Sequence, residues 1–175
     1  MKRQEALKVV LDNISEDTKV ITSCGFISRD ANALASGIFP LTGSMGTTAA
    51  FSIGWAFSTE SRIMAIMGDG DYMMGFNSIL NLKKSFLYLQ NLTHVVLADG
   101  KYQSTGGQRN VWDTNTIFKM AGACYNSVYV CTVQQSLGIA IKNYRPLELI
   151  IVEIDPADRE VSVRISDDIL GDLFE

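Results

Sequence analysis

The chain has 175 residues, 47% of them hydrophobic and 19% charged, and a formal net charge of −4. This length suffices for the core of one domain, and the negative charge argues against a nucleic-acid groove or an anionic membrane surface as the partner. There is no apolar run long enough to span a bilayer, no signal peptide pattern, and no metal-ligand spacing among the 3 cysteines, which favours a cytoplasmic protein with cysteines in its core.

The first part of the chain predicts a polar corner between a strand and a helix. Apolar positions at helical spacing predict a helix over 4–13, and a short apolar run predicts a strand over 20–22. A second helix is expected over 28–35, with Ser28 as its N-cap, because a serine there can accept a hydrogen bond from a free backbone amide.

A turn with the sequence Gly43-Ser44-Met45-Gly46 comes next. The helix expected after it, over 47–57, is rich in alanine, serine and glycine, which allow close packing against a neighbouring element. A methionine near the start of a helix is usually a core residue, and this interpretation stays open for Met45.

Two predicted strands end in a carboxylate beside glycine. The apolar run 62–67 stops at a Gly-Asp-Gly-Asp segment that contains Asp69, and the run 93–98 stops at Asp99. Both runs are apolar without alternation, as in strands covered by helices on both faces. Because ligands bind beyond the carboxyl ends of parallel strands, we expect both carboxylates at one edge of a sheet.

A divalent cation with a phosphate group suits this arrangement. Mg²⁺ prefers carboxylate and phosphate oxygens, and the glycines let backbone amides approach an anion closely. Ser104 and Thr105, in the Ser-Thr-Gly-Gly loop that follows, add further donors. A Gly-Asp-Gly segment by itself is more often a simple turn, but the paired strand ends and the loop together favour a binding site.

The remaining pattern predicts alternating helices and strands. The expected helices cover 72–82, 116–122 and 133–143, and the expected strands cover 93–98, 128–131 and 147–154. This order predicts an α/β fold, with a doubly wound, mostly parallel sheet and helices on both faces. The domain is expected over 1–156, and the acidic tail 157–175 is expected to dock on a partner or to fray. His94, at the start of a strand, is expected to be structural.

Several segments resemble one family of thiamine-diphosphate enzymes. The segment VVLADGKYQSTGGQ at 95–108 resembles the VVLDNG…DSTGGQ segment of phosphonopyruvate and sulfopyruvate decarboxylases. GFISRD at 25–30 resembles the family's G-Y-T-G-R-E, and FPLTGSMG at 39–46 resembles its GSMG segment. The resemblance covers roughly residues 20 to 155.

The resemblance implies a set of ligands. Mg²⁺ would be bound by the side chains of Asp69 and Asp99 and by the backbone carbonyl of Lys101, and Met45 would hold the cofactor in a bent shape. Contacts to thiamine diphosphate are expected from Gly25, Ser28, Gly43, Ser44, Met45, Gly68, Asp69, Gly70, Asp71, Ser104 and Thr105. For Ser28, a plain capping role is an equal alternative.

The resemblance also implies the function. It implies the beta-type, thiamine-diphosphate- and Mg²⁺-binding subunit of a two-subunit decarboxylase for a small 2-oxo acid. The catalytic glutamate would come from an alpha-type, pyrimidine-binding partner subunit, so the isolated chain should be inactive. Two alternatives stay open, namely another thiamine-diphosphate enzyme (a carboligase or a 2-oxo acid oxidoreductase) and a non-catalytic Mg²⁺/phosphate-binding module.

Two departures from the family pattern affect these expectations. Asp99 replaces the usual asparagine, and its extra negative charge predicts cofactor binding that depends steeply on Mg²⁺. A phosphono or sulfo group would need nearby cations, and the sequence offers only Lys101, Arg109 and Arg29 near the expected site. A different 2-oxo acid is therefore a serious competitor as the substrate.

Overall fold

A six-stranded parallel sheet forms the centre of the protein, in a computed structural model that describes residues 1–80, 82–85, 89–158 and 160–163. The strand order is β2-β1-β3-β4-β8-β7, and a separate two-stranded sheet joins β5 to β6. The strands are β1 (Lys19–Thr22), β2 (Ile38–Pro40), β3 (Ile63–Gly68), β4 (Leu92–Ala98), β5 (Lys101–Tyr102), β6 (Gln108–Arg109), β7 (Ser127–Cys131) and β8 (Glu148–Glu153). The helices are α1 (Arg3–Leu11), α2 (Phe26–Leu34), α3 (Thr48–Ser58), α4 (Asp69–Met74), α5 (Thr114–Ala121) and α6 (Gln134–Lys142).

Helices cover both faces of the sheet and bury two hydrophobic cores. Helices α1, α2 and α6 pack on one face, and α3, α4 and α5 pack on the other. Strand β3 supplies both cores, because Met64 and Ile66 point to the first face while Ala65 and Met67 point to the second. The predicted doubly wound α/β fold is therefore confirmed.

The order of the strands also locates a binding crevice. From β1 the chain passes to β2 on one side, and it later adds β3 on the other side of β1. Such a switch point opens a crevice at the carboxyl ends of the strands. The carboxyl ends of β1, β3 and β4 are neighbours at this position.

The helix predicted over 72–82 is wrong in both position and length. Helix α4 spans Asp69–Met74 with Gly75 as its C-cap, and 3-10 helices follow at Phe76–Ile79 and Leu82–Ser85. A side chain at Gly75 would collide with the backbone carbonyl of Gly46, so the tight contact between these turns requires glycine there. The sequence pattern also missed β2 and the β5–β6 hairpin, whose strands are too short to show a period.

The described part of the C-terminal tail packs on its own chain. The Asp158 carboxylate accepts a hydrogen bond from the Arg3 backbone amide at 2.8 Å, and the Ser162 amide donates to Asp30 at 2.7 Å. Arg3 in turn forms a buried ion pair with Asp30 at 2.7 Å. Docking of the tail on a partner stays a prediction, since residues 159 and 164–175 lie outside the described residues. No helix in the described part of the chain is long and apolar enough to cross a membrane.

Candidate functional site at the carboxyl ends of the strands

A cavity of about 80 Å³ opens where β1, β3 and β4 end. Most of the predicted site residues line it, together with several that the sequence pattern did not indicate. The predicted residues in its wall are Met45, Gly68, Asp69, Gly70, Asp71, Asp99, Lys101, Ser104 and Thr105. The additional residues include Arg3, Ser23, Cys24, Phe26, Tyr102 and Gln103.

Asp69 and Asp99 lie side by side at this edge, as the sequence predicts. Asp69 is buried and accepts hydrogen bonds from the backbone amides of Gly70 at 2.7 Å and Gly100 at 2.8 Å. Asp99 accepts a hydrogen bond from the Lys101 amide at 2.9 Å. These bonds fix both carboxylates beside one cavity, although a helix and a strand separate them along the chain.

The site brings together three carboxyl groups that are fully or partly buried. Burial raises the pKa of Asp69 to about 6, against the opposing effects of the Asn110 side chain and the Gly100 amide, and the nearby Asp99 charge raises it further. Burial likewise raises the pKa values of Asp71 and Asp99. A bound cation would favour the charged form of all three carboxyl groups.

The turn that carries Met45 is tied to the start of α4. The Gly46 amide donates a hydrogen bond to Oδ1 of Asp71 at 2.8 Å, while Oδ2 of Asp71 is buried without a partner among the described residues. The Met45 methyl lies close to Gly70, 2.9 Å from where a β-carbon would stand. Gly70 thus leaves room for Met45, which faces the cavity and is no ordinary core residue.

The hairpin formed by β5 and β6 covers the opposite side. Tyr102 packs over Gly70, and the Ser104 hydroxyl lies 3.0 Å from where a β-carbon on Gly25 would stand. The Lys101 ammonium donates a hydrogen bond to the Pro156 carbonyl at 2.7 Å, which anchors the hairpin to the loop after β8. The Ser-Thr-Gly-Gly loop is thereby held against the strand ends.

Four predicted residues lie outside the cavity wall. Gly25 lies against the Ser104 side chain, whereas Gly43 and Ser44 are exposed on the turn before Met45. Ser28 is not the N-cap of α2, and that prediction is wrong. Gly25 is the cap, with φ of 86°, and the Ser28 hydroxyl donates back to the Gly25 carbonyl at 3.0 Å. The left-handed backbone at the corner starts the helix earlier than the serine suggests.

Arg3 is the main site residue that the sequence pattern missed. Its guanidinium is buried, pairs with Asp30, and lies 5.1 Å from the centre of the Phe26 ring. Nothing in the first helix indicates this position, because only the packing of α1 against α2 brings Arg3 to the cavity. Cys24 is half-buried in the wall, unlike the buried Cys124 and Cys131, so the prediction of core cysteines fails for Cys24.

The donor set of the cavity fits a hard divalent cation. Asp69, Asp71 and Asp99 line it, and carboxylate oxygens are preferred ligands of Mg²⁺. Within the residues that the structure describes, no group of three or more His, Cys, Asp and Glu side chains could hold a metal. A cation here would thus depend on a few protein oxygens together with those of a ligand.

Comparison with known sequences identifies the family. Residues 22–155 match the family described as thiamine pyrophosphate enzyme, C-terminal TPP binding domain. The chain belongs to this family. The resemblance noted from the motifs is thereby confirmed.

Two relatives of the thiamine pyrophosphate family illustrate the similarity. A phosphonopyruvate decarboxylase of Streptomyces viridochromogenes is 31% identical over 142 residues, which are 79% of this chain and 35% of the relative. A sulfopyruvate decarboxylase subunit beta of Methanocaldococcus jannaschii is 26% identical over 117 residues, which are 66% of this chain and 61% of the relative. The chain therefore spans only part of each.

Solved structures show the same fold. The benzoylformate decarboxylase of Polynucleobacter necessarius superimposes with a TM-score of 0.70 at 14% identity, over 92% of this chain and 34% of that one. The 2-oxoglutarate:ferredoxin oxidoreductase of Magnetococcus marinus gives 0.69 at 16% identity, over 98% of this chain and 67% of that one. At these identities the likeness concerns the fold alone.

Proposed function

We propose that this chain is the thiamine-diphosphate- and Mg²⁺-binding subunit of a two-subunit 2-oxo acid decarboxylase. The observation that carries the proposal is the pair Asp69 and Asp99 beside one cavity, at the ends of adjacent parallel strands. The names of the relatives, phosphonopyruvate decarboxylase and sulfopyruvate decarboxylase subunit beta, support the reaction type and the two-subunit arrangement.

The metal site would be formed by two carboxylates and one carbonyl. Asp69 and Asp99 would bind Mg²⁺ through their side chains, and Lys101 through its backbone oxygen. The pKa values of both carboxyl groups are raised, so their charged forms are disfavoured in the empty site. A bound cation would stabilise these charged forms and offset their repulsion with the cofactor's diphosphate. Asp99, in place of an asparagine, makes this compensation more necessary.

The cofactor would lie between the Met45 turn and the hairpin. Gly68, Gly70, Ser104 and Thr105 would surround the diphosphate, and Met45 would support the rings. Asp71 would act through the Gly46 amide that it holds. The remaining predicted contacts are Gly25, Ser28, Gly43 and Ser44, which would act by shaping the adjacent turns.

The hairpin must move for the whole cofactor to enter. A cavity of about 80 Å³ holds a few water molecules, and Tyr102 and Ser104 pack directly over Gly70 and Gly25. The side chains of Lys101 and Gln103 both donate to the Pro156 carbonyl, so the loop beyond Gln103 can shift while these two residues stay anchored. We therefore expect the segment 104–107 to open and then close over the diphosphate.

The chemistry would be divided between the cofactor and the protein. When bound, thiamine diphosphate supplies an electron-accepting ring for the electrons released as CO₂ leaves a 2-oxo acid. This chain would orient the diphosphate through Asp69 and Asp99, support the rings through Met45, and exclude water with the hairpin. The activating glutamate would come from a partner.

An apolar surface beside the cavity supports a partner subunit. Helix α3, TAAFSIGWAFS, carries no charged residue, and its exposed side includes Phe51 and Phe57 at 42% and 56% exposure. Met74, 65% exposed, lies against Gly46 between this helix and the cavity. We call Met45, Phe51, Phe57 and Met74 the α3 face, and we infer that the alpha-type, pyrimidine-binding subunit covers it, since that subunit must reach the cofactor beyond Met45.

The substrate would be a small 2-oxo acid. Among the cations expected from the sequence, Lys101 bonds to Pro156, Arg29 lies over the Phe26 ring, and Arg109 is exposed. Arg3 also lines the cavity, but its guanidinium is committed to the buried ion pair with Asp30, so the cations for a strongly anionic substrate group would have to come from the partner subunit. A nucleic acid or a membrane is not expected as a partner, and the expected location remains the cytoplasm.

Reconstitution tests this proposal. The tagged chain should retain a second chain from the native host, and the pair should release CO₂ from one member of a panel of 2-oxo acids, including sulfopyruvate, phosphonopyruvate and pyruvate. Activity should require thiamine diphosphate and Mg²⁺ and be lost with EDTA. In the pair, D69N should lose at least about 100-fold in activity, since it removes a metal ligand, while the exposed D12N should not. Full activity of D69N, or no cofactor binding by the pair, would refute the proposal.

A further inference from the structure

A buried chain of hydrogen bonds crosses the core behind the site. Ser52 Oγ lies 2.9 Å from Nε2 of His94, and Nδ1 of His94 lies 2.6 Å from the Tyr125 hydroxyl. Ser52, His94 and Tyr125 are all fully buried or nearly so. Tyr72 is buried beside Tyr125, and burial raises the pKa of Tyr72, against a smaller opposing effect of the Tyr125 hydroxyl.

The geometry assigns a donor and an acceptor to each hydrogen bond in this series. The Ser52 hydroxyl donates to the Ala49 carbonyl at 2.8 Å, so its oxygen can only accept from His94. On this assignment of the Ser52 hydrogen, His94 carries its proton on Nε2, and its Nδ1 accepts from the Tyr125 hydroxyl. Burial lowers the pKa of His94 to about 3, so the ring is neutral and carries a single proton.

The chain of bonds closes a ring that includes the candidate site. Ser52 lies on α3, and the turn before α3 contains Gly46, whose amide donates to Asp71. Asp71 precedes Tyr72 on α4, and Tyr72 and Tyr125 belong to the same buried cluster, in which the Tyr72 hydroxyl has no hydrogen-bond partner among the described residues. The path of contacts therefore leads from Asp71 to Gly46 and along α3 to Ser52. It continues through His94 and Tyr125 and returns to α4.

We propose that His94, as the neutral Nε2–H tautomer, is a positioning residue that sets the distance between the Gly46 turn and Asp71. It does so from strand β4, which is buried along its whole length, with its ring between the Ser52 hydroxyl and the Tyr125 hydroxyl. A histidine suits this task because one ring can donate to one partner and accept from another on opposite sides. Only the link to cofactor binding depends on the proposed function, whereas the tautomer and the positioning do not.

Nuclear magnetic resonance on the full chain tests the tautomer directly. The chain has 1 histidine, so a long-range ¹H–¹⁵N correlation spectrum of the imidazole reports on His94 alone. We expect a protonated Nε2 and an unprotonated Nδ1 that do not titrate between pH 5 and 8. In S52A the acceptor for Nε2–H is gone, and we expect the proton to move to Nδ1 and donate to Tyr125. The control S58A removes a similar hydroxyl, which donates to the Trp55 carbonyl at 2.8 Å on the same helix, and should leave the spectrum unchanged.

Hydrogen exchange tests the positioning role. In S52A the buried Nε2 of His94 loses its hydrogen-bond partner on α3. The turn before α3 should then loosen, so we expect the Gly46 amide to exchange about tenfold faster than in the parent chain. The Leu137 amide, which donates to Val133 within the α6 region, should be unaffected, and this separates a local change from global unfolding. If S52A does not fold, Y125F serves instead, and there too the Gly46 amide should exchange faster, with the Nε2–H tautomer retained and the Nδ1 resonance shifted.

Two results would overturn the inference. One is a ring protonated on Nδ1 in the parent chain. The other is an unchanged exchange rate of the Gly46 amide in a folded S52A or, where that variant fails, in Y125F. None of these measurements involves the cofactor or a partner, so failure of the proposed function would leave them unaffected.

Discussion

Oδ2 of Asp69 accepts the backbone amide of Gly100 at 2.8 Å, which ties the turn after β4 to the start of α4. The same carboxylate accepts the Gly70 amide through Oδ1. Asp69 therefore organises two turns before any ligand binds, and it places Asp99, the residue before Gly100, beside itself. A carboxylate that is already oriented by two amides has its remaining lone pairs directed to the cavity.

Replacing Asp99 with asparagine should weaken the dependence of cofactor binding on Mg²⁺. The carboxylate adds a negative charge near the diphosphate, and the amide does not. In titration calorimetry of the reconstituted pair, the ratio of thiamine-diphosphate affinities with Mg²⁺ and with EDTA should be large in the parent and about tenfold smaller in D99N. An equal ratio in both proteins would show that the Asp99 charge is not felt by the cofactor.

Acidification should stabilise the metal-free chain. Asp69 has a pKa of about 6 in the fold against an ordinary value of 3.8, so the folded chain binds this proton more tightly. The contribution of Asp69 to the free energy of unfolding is present at low pH and is lost as the pH rises through about 6. This loss lowers the free energy of unfolding by up to about 3 kcal/mol. Urea unfolding in EDTA between pH 4.5 and 7 should show this slope.

The D69N variant serves as the control for that slope. Burial raises the pKa values of Asp71 and Asp99 in the same sense, whereas the exposed Asp17 and Asp113 have lowered pKa values and act weakly in the opposite sense. The difference between parent and D69N isolates Asp69. If the free energy of unfolding changed with pH in the same way in both proteins, the raised pKa of Asp69 would be contradicted.

Substitution of Gly75 by alanine should destabilise the fold and displace the Met45 turn. The added methyl group would meet the Gly46 carbonyl, which is backbone and cannot rotate away. We expect a loss of about 1–3 kcal/mol in the free energy of unfolding, measured by urea denaturation. The matched variant G138A, within α6, meets nothing closer than a Val9 methyl at 3.8 Å and should gain about 0.5–1 kcal/mol. A neutral G75A would show that the two turns can separate freely.

A charge on the α3 face should block the partner without unfolding the chain. In M74K the lysine stem can cover the same surface while its ammonium stays in water, until the partner approaches. Retention of the second chain in the pull-down should fall by at least about tenfold, with an unchanged melting temperature. I139K is the control, since Ile139 is 59% exposed on α6, on the other face of the sheet. Equal losses in both variants would argue against the α3 face.

Substitution of Arg3 should destabilise the chain more than substitution of its neighbour Lys2. R3M leaves the Asp30 carboxylate buried without its ion pair, which typically costs about 3–5 kcal/mol. K2M removes only the exposed pair with Glu160 and should change the melting temperature little. Thermal unfolding of both variants decides this. A small effect of R3M would mean that Asp30 is satisfied by Gln4 and the Ser162 amide alone.

Local sequence patterns predicted the fold class and the two carboxylates at the centre of the site. Continuous apolar runs ending in Gly-Asp-Gly and Asp-Gly predict buried parallel strands with carboxylates at one edge, because strand polarity fixes where such residues meet. Asp69 and Asp99 follow from local patterns of this kind, whereas Met45 was indicated by the family resemblance. Short elements such as β2 and the β5–β6 hairpin did not, since two or three residues carry no period.

Tertiary structure alone decided which distant groups complete the site. Arg3 reaches the cavity through the packing of α1 on α2, and Tyr102 covers Gly70 only because the hairpin folds back. Ser52, His94 and Tyr125 share no sequence pattern, yet they form one chain of hydrogen bonds. Such contacts depend on shape and on the burial of polar groups across elements, which the order of residues does not express locally.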